Sequence, residues 1–113
     1  MKLRFAPSPT GNLHVGNART LLLNWLYAKK HSAQFVLRFD DTDLERSKDA
    51  YVDQIKKDMA WLGLSYDSIS KQSDRLELYK KAAEKLKASG RLYPCYETKN
   101  EIDFKRKRQL SQG

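Results

Sequence analysis

The fold of this chain is decided at its beginning by residues 4–19, which read RFAPSPTGNLHVGNAR. The apolar run from Leu3 to Ala6 predicts a short β-strand. Pro7 and Pro9 end that strand, because proline lacks a backbone donor and stiffens the turn that follows. From Gly16 to Lys30 apolar side chains recur at helical spacing. The stretch therefore predicts a strand, a rigid turn and a helix.

Further strands are predicted downstream of this unit. Residues 34–39 are rich in β-branched and aromatic side chains, which favours a second strand. Shorter strands are expected at residues 64–66 and 92–96, the last at a sheet edge because it contains Pro94. Strands that alternate with helices are typical of the α/β class, with a parallel sheet that carries helices on its faces.

Two further helices are predicted between these strands. One is expected to start after Ser47, as its N-cap, and to stop at Gly63; the other starts at Ser73 and stops at Gly90. The side chains expected to face the core are Val52, Ile55, Met59 and Leu62 in the first of these, and Leu76, Tyr79, Ala83 and Leu86 in the second.

The chain is predicted to have two parts. Residues 1–96 carry the alternating pattern, whereas residues 97–113 have little apolar content and contain the basic run Lys105 to Arg108. The last residues show no helix-terminating pattern. We therefore expect the second part to be the basic start of an insertion, truncated within a longer protein.

Composition narrows the class of protein. The chain has 113 residues, of which 40% are hydrophobic and 32% are charged, which is typical of a globular domain. No apolar run approaches the ~20 residues of a membrane helix. Because a strand is predicted at the very start, we expect no signal peptide. The single cysteine, Cys95, excludes an internal disulfide and favours a reducing, cytosolic compartment. The net charge of +8 fits either a polyanionic partner or a solvated, lysine-rich surface.

The predicted helix start in residues 14–17 suits an anion. Backbone N–H groups at a helix start attract phosphate, and His14 can donate to a phosphate oxygen from the same place. Gly16 would let a flat base or ribose approach the backbone. Alternatively, His14 caps the helix and Gly16 permits tight packing, and the residues by themselves do not decide between these interpretations.

A second polar cluster follows the predicted strand at residues 34–39. Asp40, Asp41 and Asp43 could bind a metal ion, or they could form a solvated loop whose charge is balanced by Arg38 and Arg46. In open α/β sheets the ligand crevice lies at the carboxyl ends of the strands, where this loop is expected.

Both segments resemble the class I aminoacyl-tRNA synthetases. Residues 14–17, HVGN, are similar to the His-Ile-Gly-His motif of that class. Residues 4–11, RFAPSPTG, and residues 38–43, RFDDTD, resemble the glutamyl-tRNA synthetases in particular, whose second motif reads Arg-x-Glu-Asp-Thr-Asp. The resemblance implies that the sheet is the amino-terminal half of a Rossmann-like catalytic domain. Weaker matches at residues 61–64, 72–75 and 90–96 extend the resemblance over nearly the whole chain.

The resemblance also implies a nucleotide site. It assigns ATP binding to Pro7, Ser8, Thr10, His14, Gly16 and Asn17. Among these, His14 and Asn17 are the implied catalytic residues, because the family stabilises developing charge with positioned donors. Asn17 occupies the place of the motif's second histidine, and its side chain can donate a hydrogen bond but cannot carry a positive charge.

Other residues are implied to contact glutamate and tRNA. The implied glutamate-binding residues are Arg4, Ala6, Ser8 and Asp40. Asp40 would receive the ammonium of glutamate, although it is one methylene shorter than the family's usual glutamate, and Arg4 would face the carboxylate side. Asp43 and Arg46 would approach the acceptor end of the tRNA.

By this resemblance the chain is part of a ligase. Such an enzyme activates L-glutamate with ATP, as its Mg²⁺ complex, and transfers it to the 3′ end of glutamate tRNA. We expect a cytoplasmic, monomeric parent protein with no membrane partner. Some family members carry a zinc site that begins near Cys95, but Glu97 occupies the place of the second cysteine. We therefore expect no zinc and no other metal site.

Two other functions remain open. One is a short paralogue that attaches glutamate to a modified tRNA base, and the other is a non-catalytic RNA-binding module, which the basic tail favours. The Asp-Thr-Asp triplet at residues 41–43 and the Pro-Thr-Gly turn at residues 9–11 favour the synthetase. Because the family's Lys-Met-Ser-Lys-Ser-like loop has no counterpart here, we expect the chain alone to be inactive.

Overall fold

A computed structural model describes residues 1–111. Its centre is a parallel sheet of three strands, β1 (Lys2–Phe5), β2 (Gln34–Phe39) and β3 (Ser68–Lys71), in the spatial order β1-β2-β3. The helices are α1 (Val15–Lys30), α2 (Asp49–Trp61), α3 (Leu76–Ala88) and α4 (Lys99–Ser111), with a 3₁₀ turn at Ser73–Arg75. The predicted α/β class and parallel sheet are confirmed.

One face of the sheet is buried because strand side chains alternate. Phe35, Leu37 and Phe39 all point to that face and are at most 2% exposed. They pack in one cluster with residues of β1, α1, α2 and the segment after α2: Phe5, Leu21, Ala28, Val52, Ile55, Met59 and Leu64. Burial of each large side chain stabilises the fold by roughly 1.5–3 kcal/mol. This cluster fixes the strand ends against α1 and α2.

The other face of the sheet is polar. Arg4 on β1 is in register with Val36, and Arg38 on β2 is in register with Ser70. Alternation therefore puts these side chains on the face opposite Phe35 and Leu37. They line an open pocket of about 710 Å³.

The chain divides into two compact units, residues 1–77 and residues 78–113. The first contains the sheet, α1, α2 and the 3₁₀ turn. The second contains most of α3 and the whole of α4, neither of which has a buried residue. The predicted boundary at residue 96 falls inside the second unit, just before α4.

The third strand lies at residues 68–71, so the prediction of a strand at residues 64–66 is wrong. Gly63 has φ +69°, and the N–H of Leu64 bonds to the carbonyl of Met59 in the cap of α2. Pairing with β2 begins only at Asp67, whose N–H donates to Phe35 O. The helix cap thus uses the backbone that the prediction assigned to a strand.

The carboxyl-terminal part also differs from its prediction. Residues 92–96 form no strand, so that prediction is wrong, and residues 99–111 form α4, a helix that was not predicted from the sequence. A local capping box starts α4: Glu101 accepts from the N–H of Thr98, and Thr98 Oγ1 accepts from the N–H of Glu101. The Thr-x-x-Glu spacing was the overlooked signal. The last two residues of the predicted basic segment lie outside the described residues.

The remaining helix predictions are partly confirmed. Both predicted stops are glycines at φ +69°, Gly63 and Gly90. The N-cap of α2 is Lys48 rather than Ser47, whose N–H bonds to Asp43 O. Of the side chains expected to face the core, Leu62, Leu76, Tyr79 and Leu86 are exposed. No helix among residues 1–111 combines the length and apolar character needed to cross a bilayer.

Candidate functional site

The turn after β1 is anchored to the loop after β2. Pro7 and Pro9 are buried, and their carbonyls accept from the N–H groups of Asp40 and Lys48, both at 3.0 Å. A bond of 2.8 Å from the N–H of Thr10 to Ser8 O tightens the turn. The two motifs singled out in the sequence are therefore neighbours at the carboxyl edge of the sheet.

His14 and Asn17 begin α1 as a reciprocal cap. His14 Nδ1 accepts from the N–H of Gly16 at 3.1 Å, and Asn17 Oδ1 accepts from the N–H of His14 at 2.8 Å. Since Nδ1 is the acceptor, the neutral imidazole carries its proton on Nε2, which is then the donor available to a ligand. Capping and anion binding, which the sequence left as alternatives, are compatible in this geometry.

The His14 ring lies so close to Gly16 that a side chain at position 16 would crowd it. A Cβ at position 16 would lie 3.0 Å from both Cε1 and Nδ1 of His14. This distance is shorter than the roughly 3.5–4.0 Å of a relaxed contact. The structure thus shows a close approach of the neighbouring imidazole to Gly16, and the approach of a base or ribose there stays a prediction.

The turn and the start of α1 enclose a pocket of about 220 Å³. The first turn of α1 contains no acidic residue, so its N–H groups offer an unopposed positive end. All the predicted ATP-binding residues except Gly16 line the pocket, whose full lining is Pro7, Ser8, Thr10, Gly11, Asn12, Leu13, His14, Asn17 and Ile55. The pocket is thus lined by the turn after β1 and the first residues of α1, together with Ile55 of α2.

Asp40 is held by an arginine fork. Arg38 Nε donates to Asp40 Oδ1 at 2.7 Å, and Arg38 Nη2 donates to Oδ2 at 3.0 Å. The two side chains are 20% and 33% exposed. The balancing role that the sequence suggested for Arg38 is thus seen as a specific two-bond contact.

The predicted glutamate-binding residues lie in different environments. Arg4 is exposed and lines the pocket of the polar sheet face, together with Arg38. Ala6 is half-buried just after β1, and Ser8 lines the turn pocket. The structure therefore places Ser8, which is predicted to bind both substrates, in the turn pocket, and it places Arg4 on the sheet face with Arg38.

Asp41, which the sequence suggested as a metal ligand or as part of a solvated loop, is a buried structural carboxylate. It is 9% exposed and accepts from the N–H of Ser73 at 2.9 Å and from its hydroxyl at 2.7 Å. Burial by itself would raise the pKa of Asp41, but the hydrogen bonds from Ser73 outweigh burial and lower the pKa. Asp41 thereby caps the 3₁₀ turn across 32 residues of sequence.

Asp43 and Arg46, the predicted tRNA-binding residues, contact each other. Asp43 Oδ2 lies 2.6 Å from Arg46 Nε, and Oδ1 accepts from the N–H of Arg46 at 3.1 Å. The hydrogen bond from the Arg46 side chain lowers the pKa of Asp43. The side chain of Arg46 is 73% exposed, so the guanidinium remains accessible at the surface.

A separate pocket of about 260 Å³ lies beside the acidic loop. Asp49 and Lys71 pair across it at 3.1 Å, and this hydrogen bond raises the pKa of Lys71. Ser47 Oγ, which also lines it, is buried without a hydrogen-bond partner. Nowhere in residues 1–111 do three or more His, Cys, Asp or Glu side chains group closely enough to hold a metal ion.

Most of the positive charge belongs to the second unit. Residues 78–113 contain ten Lys or Arg and four Asp or Glu, a net +6 of the chain's +8. The ammonium of Lys105 pairs with Glu97 and lowers the pKa of that carboxyl. Cys95 is exposed, with its thiol 3.7 Å from Glu97.

Comparison with known proteins gives a consistent result. Residues 1–113 match the family described as class I tRNA synthetases (E and Q), catalytic domain. Glutamate–tRNA ligase 2 of Beijerinckia indica is 60% identical over 111 residues, which are 98% of this chain and 25% of the relative. Glutamate–tRNA ligase 2 of Erythrobacter litoralis is 62% identical over 110 residues, 97% of this chain and 24% of the relative.

Solved structures agree with these relatives. A glutamate tRNA ligase from Elizabethkingia meningosepticum, in complex with its amino acid, aligns with a TM-score of 0.85 at 32% identity, over 100% of this chain and 24% of that chain. Glutamate–tRNA synthetase from Elizabethkingia anophelis aligns with a TM-score of 0.86, also at 32% identity, over 25% of its length. The chain thus spans about a quarter of the length of the relatives it matches.

Proposed function

The chain belongs to the family of class I tRNA synthetase catalytic domains for E and Q, and we propose that it forms the ATP- and glutamate-binding part of a glutamate–tRNA ligase. The observation that carries this proposal is the turn pocket of about 220 Å³ at the start of α1, where the predicted ATP-binding residues other than Gly16 meet. The names of the relatives support glutamate as the amino acid.

In the proposed reaction, the α-carboxylate of glutamate attacks the α-phosphorus of ATP. A bond forms between the carboxylate oxygen and phosphorus, the bond to pyrophosphate breaks, and glutamyl-adenylate results. A terminal ribose hydroxyl of tRNA then attacks the activated carbonyl, loses its proton and releases AMP. ATP enters as its Mg²⁺ complex, so the metal arrives with the substrate.

His14 is proposed to act through charge and position rather than by proton transfer. Its Nδ1 is engaged by the N–H of Gly16, so Nε2–H is the group presented to a phosphate oxygen. Negative charge that builds up on phosphate during attack is stabilised by this donor and by the helix start. Asn17 fixes the backbone of His14 and keeps its amide nitrogen for a second donation.

For glutamate, we propose that the ammonium binds Asp40 and that a carboxylate binds Arg4. Asp40 keeps acceptor capacity because a carboxylate has about four lone-pair sites and the Arg38 fork uses two of them. Arg4 lies on the adjacent strand and its side chain forms no hydrogen bond or ion pair within residues 1–111. Ala6 and Ser8 would complete the contact along the turn.

The tRNA is proposed to contact the acidic loop, and the basic second unit is proposed separately to attract its phosphates. Asp43 and Arg46 form an exposed pair that can exchange partners with ribose and phosphate, because water screens an exposed ion pair and leaves it little net stability. The net +6 of residues 78–113 supplies salt-sensitive phosphate attraction. We further propose a cytoplasmic, monomeric enzyme without zinc.

The test is glutamate-dependent ATP–pyrophosphate exchange by the full-length gene product, followed by charging of glutamate tRNA. Both activities are expected, and His14→Ala is expected to remove the exchange. Exchange with glutamate in the absence of charging at the tRNA 3′ end would favour the base-modifying paralogue. RNA binding without any exchange would favour a non-catalytic module and contradict the proposal.

A further inference from the structure

Arg38 contacts Asp40, a proposed substrate-binding residue, but has no role in the proposed function so far. It is on the polar face of β2, where it lines the same pocket as Arg4, and its guanidinium reaches two residues along the chain to Asp40. Only 20% of its side chain is exposed. In the other ion pairs described among residues 1–111, each side chain is at least 36% exposed, so the Arg38 fork is the more buried contact.

We propose that Arg38 is a positioning residue, which holds the Asp40 carboxylate in the orientation that receives the ammonium of glutamate. This inference rests on the proposed function, in which Asp40 binds that ammonium. The backbone of Asp40 is fixed independently, because its N–H donates to Pro7 O at 3.0 Å. With the fork added, both the backbone and the carboxylate plane of Asp40 are set before substrate arrives.

The remaining acceptor sites of Asp40 suit this role. The two bonds at 2.7 and 3.0 Å occupy one side of each carboxylate oxygen. The other lone pairs remain for an incoming N–H, and a third of the side chain is exposed. An aspartate has fewer rotatable bonds than a glutamate, so a fork is enough to select one orientation.

The charge of Arg38 also fits the substrate. Glutamate carries two carboxylates and one ammonium, a net charge of −1 at neutral pH. Arg4 and Arg38 line one pocket, and Arg38 is paired with the negative carboxylate of Asp40. Arg38 therefore offsets the charge of Asp40, which limits the repulsion between Asp40 and a net-negative substrate. The lone pairs of Asp40 that Arg38 does not use remain to accept from the ammonium of glutamate.

A merely structural Arg38 would anchor the end of β2 and would affect both substrates alike. A double-mutant cycle on Arg38 and Asp40 separates the two roles, because residues that act through one another are not additive. The variants are Arg38→Gln, Arg38→Lys, Asp40→Asn and the Arg38→Gln/Asp40→Asn pair, in the full-length gene product. The measurements are the KM values for glutamate and for ATP in pyrophosphate exchange, with the melting temperature of each variant.

We expect Arg38→Gln to raise the glutamate KM about tenfold and the ATP KM less than about twofold. Arg38→Lys, which keeps the charge but cannot make the fork, should raise the glutamate KM by about threefold. In the Asp40→Asn background, Arg38→Gln should change the glutamate KM less than about twofold, because the carboxylate it positions is gone.

Several outcomes overturn the inference. Additive effects of the two substitutions, or equal rises in both KM values, would make Arg38 a structural residue. If Arg38→Gln does not fold, Arg38→Lys decides, since a wild-type glutamate KM in that variant would show that the fork is not required. Failure of the proposed function would give a different result, in which the wild-type protein is folded but shows no glutamate-dependent exchange. That result would also remove the premise that Asp40 binds the ammonium of glutamate.

Discussion

The sharpest test of the site is Gly16→Ala, because the structure gives a specific reason for glycine at this position. The added Cβ would lie 3.0 Å from Cε1 and Nδ1 of the His14 ring. A relaxed contact needs about 0.5 Å more, so the imidazole must move or turn. Movement also lengthens the 3.1 Å bond from the N–H of Gly16 to Nδ1, which sets the ring's tautomer.

The expected effects on stability and on catalysis differ. Alanine in place of glycine favours a helix by up to about 1 kcal/mol, and weakening the His14 cap costs about the same. These changes offset each other, so the melting temperature should hardly change. Catalysis should fall more clearly, because a donor misplaced by about 1 Å can cost roughly a hundredfold. For half that displacement we expect a loss of about tenfold in kcat/KM for ATP.

The assay is ATP–pyrophosphate exchange by the full-length gene product, with thermal unfolding measured on the same samples. Gly11→Ala is the matched comparison, because a Cβ built there meets no atom within 4 Å and a smaller loss is expected. Wild-type kcat/KM in Gly16→Ala, or equal losses in both variants, would refute the argument that Gly16 makes room for the His14 ring.

Three further predictions follow from the same geometry. Asp40→Asn should raise the KM for glutamate about thirtyfold and change the KM for ATP little. Losing one partner of a charged contact costs about 2 kcal/mol at the low end, which applies because Asp40 is one-third exposed. Equal changes in the two KM values would point to a structural role. The pKa of Asp41 is lowered in the folded state, so its stabilisation is present above pH ~4 and is lost as the pH falls through the folded-state pKa. Asp41→Asn should therefore lower the free energy of unfolding by about 1–3 kcal/mol at pH 7. It should also make that free energy depend less on pH in the acid range, as measured by denaturant unfolding. Asp53→Asn, which removes an exposed ion pair 3.8 Å long, should change neither. Residues 1–113 alone should not charge glutamate tRNA. They correspond to a quarter of the relatives' length, and donors are needed around the transition state from more than one side. Charging by this chain that disappears in its His14→Ala variant would contradict the prediction.

Local features of the chain were predictable from the sequence because each depends on neighbouring residues. The bounds of β2 follow from a run of β-branched and aromatic side chains, and the ends of α2 and α3 follow from Gly63 and Gly90, which adopt the positive φ that other residues avoid. The parallel sheet follows from the alternation of strands with helices. The start of α4 is encoded locally in the same way, since the Thr98–Glu101 capping box joins residues only three apart.

The functional motifs were also recognisable in the sequence, but the resemblance specified residue types rather than contacts. It indicated that His14 and Asp40 belong to binding sites, and those assignments stay predictions. It could not indicate that His14 Nδ1 is occupied by a backbone N–H, or that Arg38 forks onto Asp40. Such contacts depend on rotamers, which packing selects.

Tertiary structure decided the features that join distant parts of the chain. The third strand forms at residues 68–71 because Asp67 and Phe35 meet, and Asp41 caps a turn at Ser73, 32 residues away. No periodicity within either segment encodes such a meeting, since it exists only once the sheet has brought the segments together. The sequence by itself determined β2, the ends of α2 and α3, and the polar chemistry that follows β1 and β2. The position of the third strand and the partner of Asp41 were settled by the fold, because a buried carboxylate must find donors wherever the surrounding elements place them.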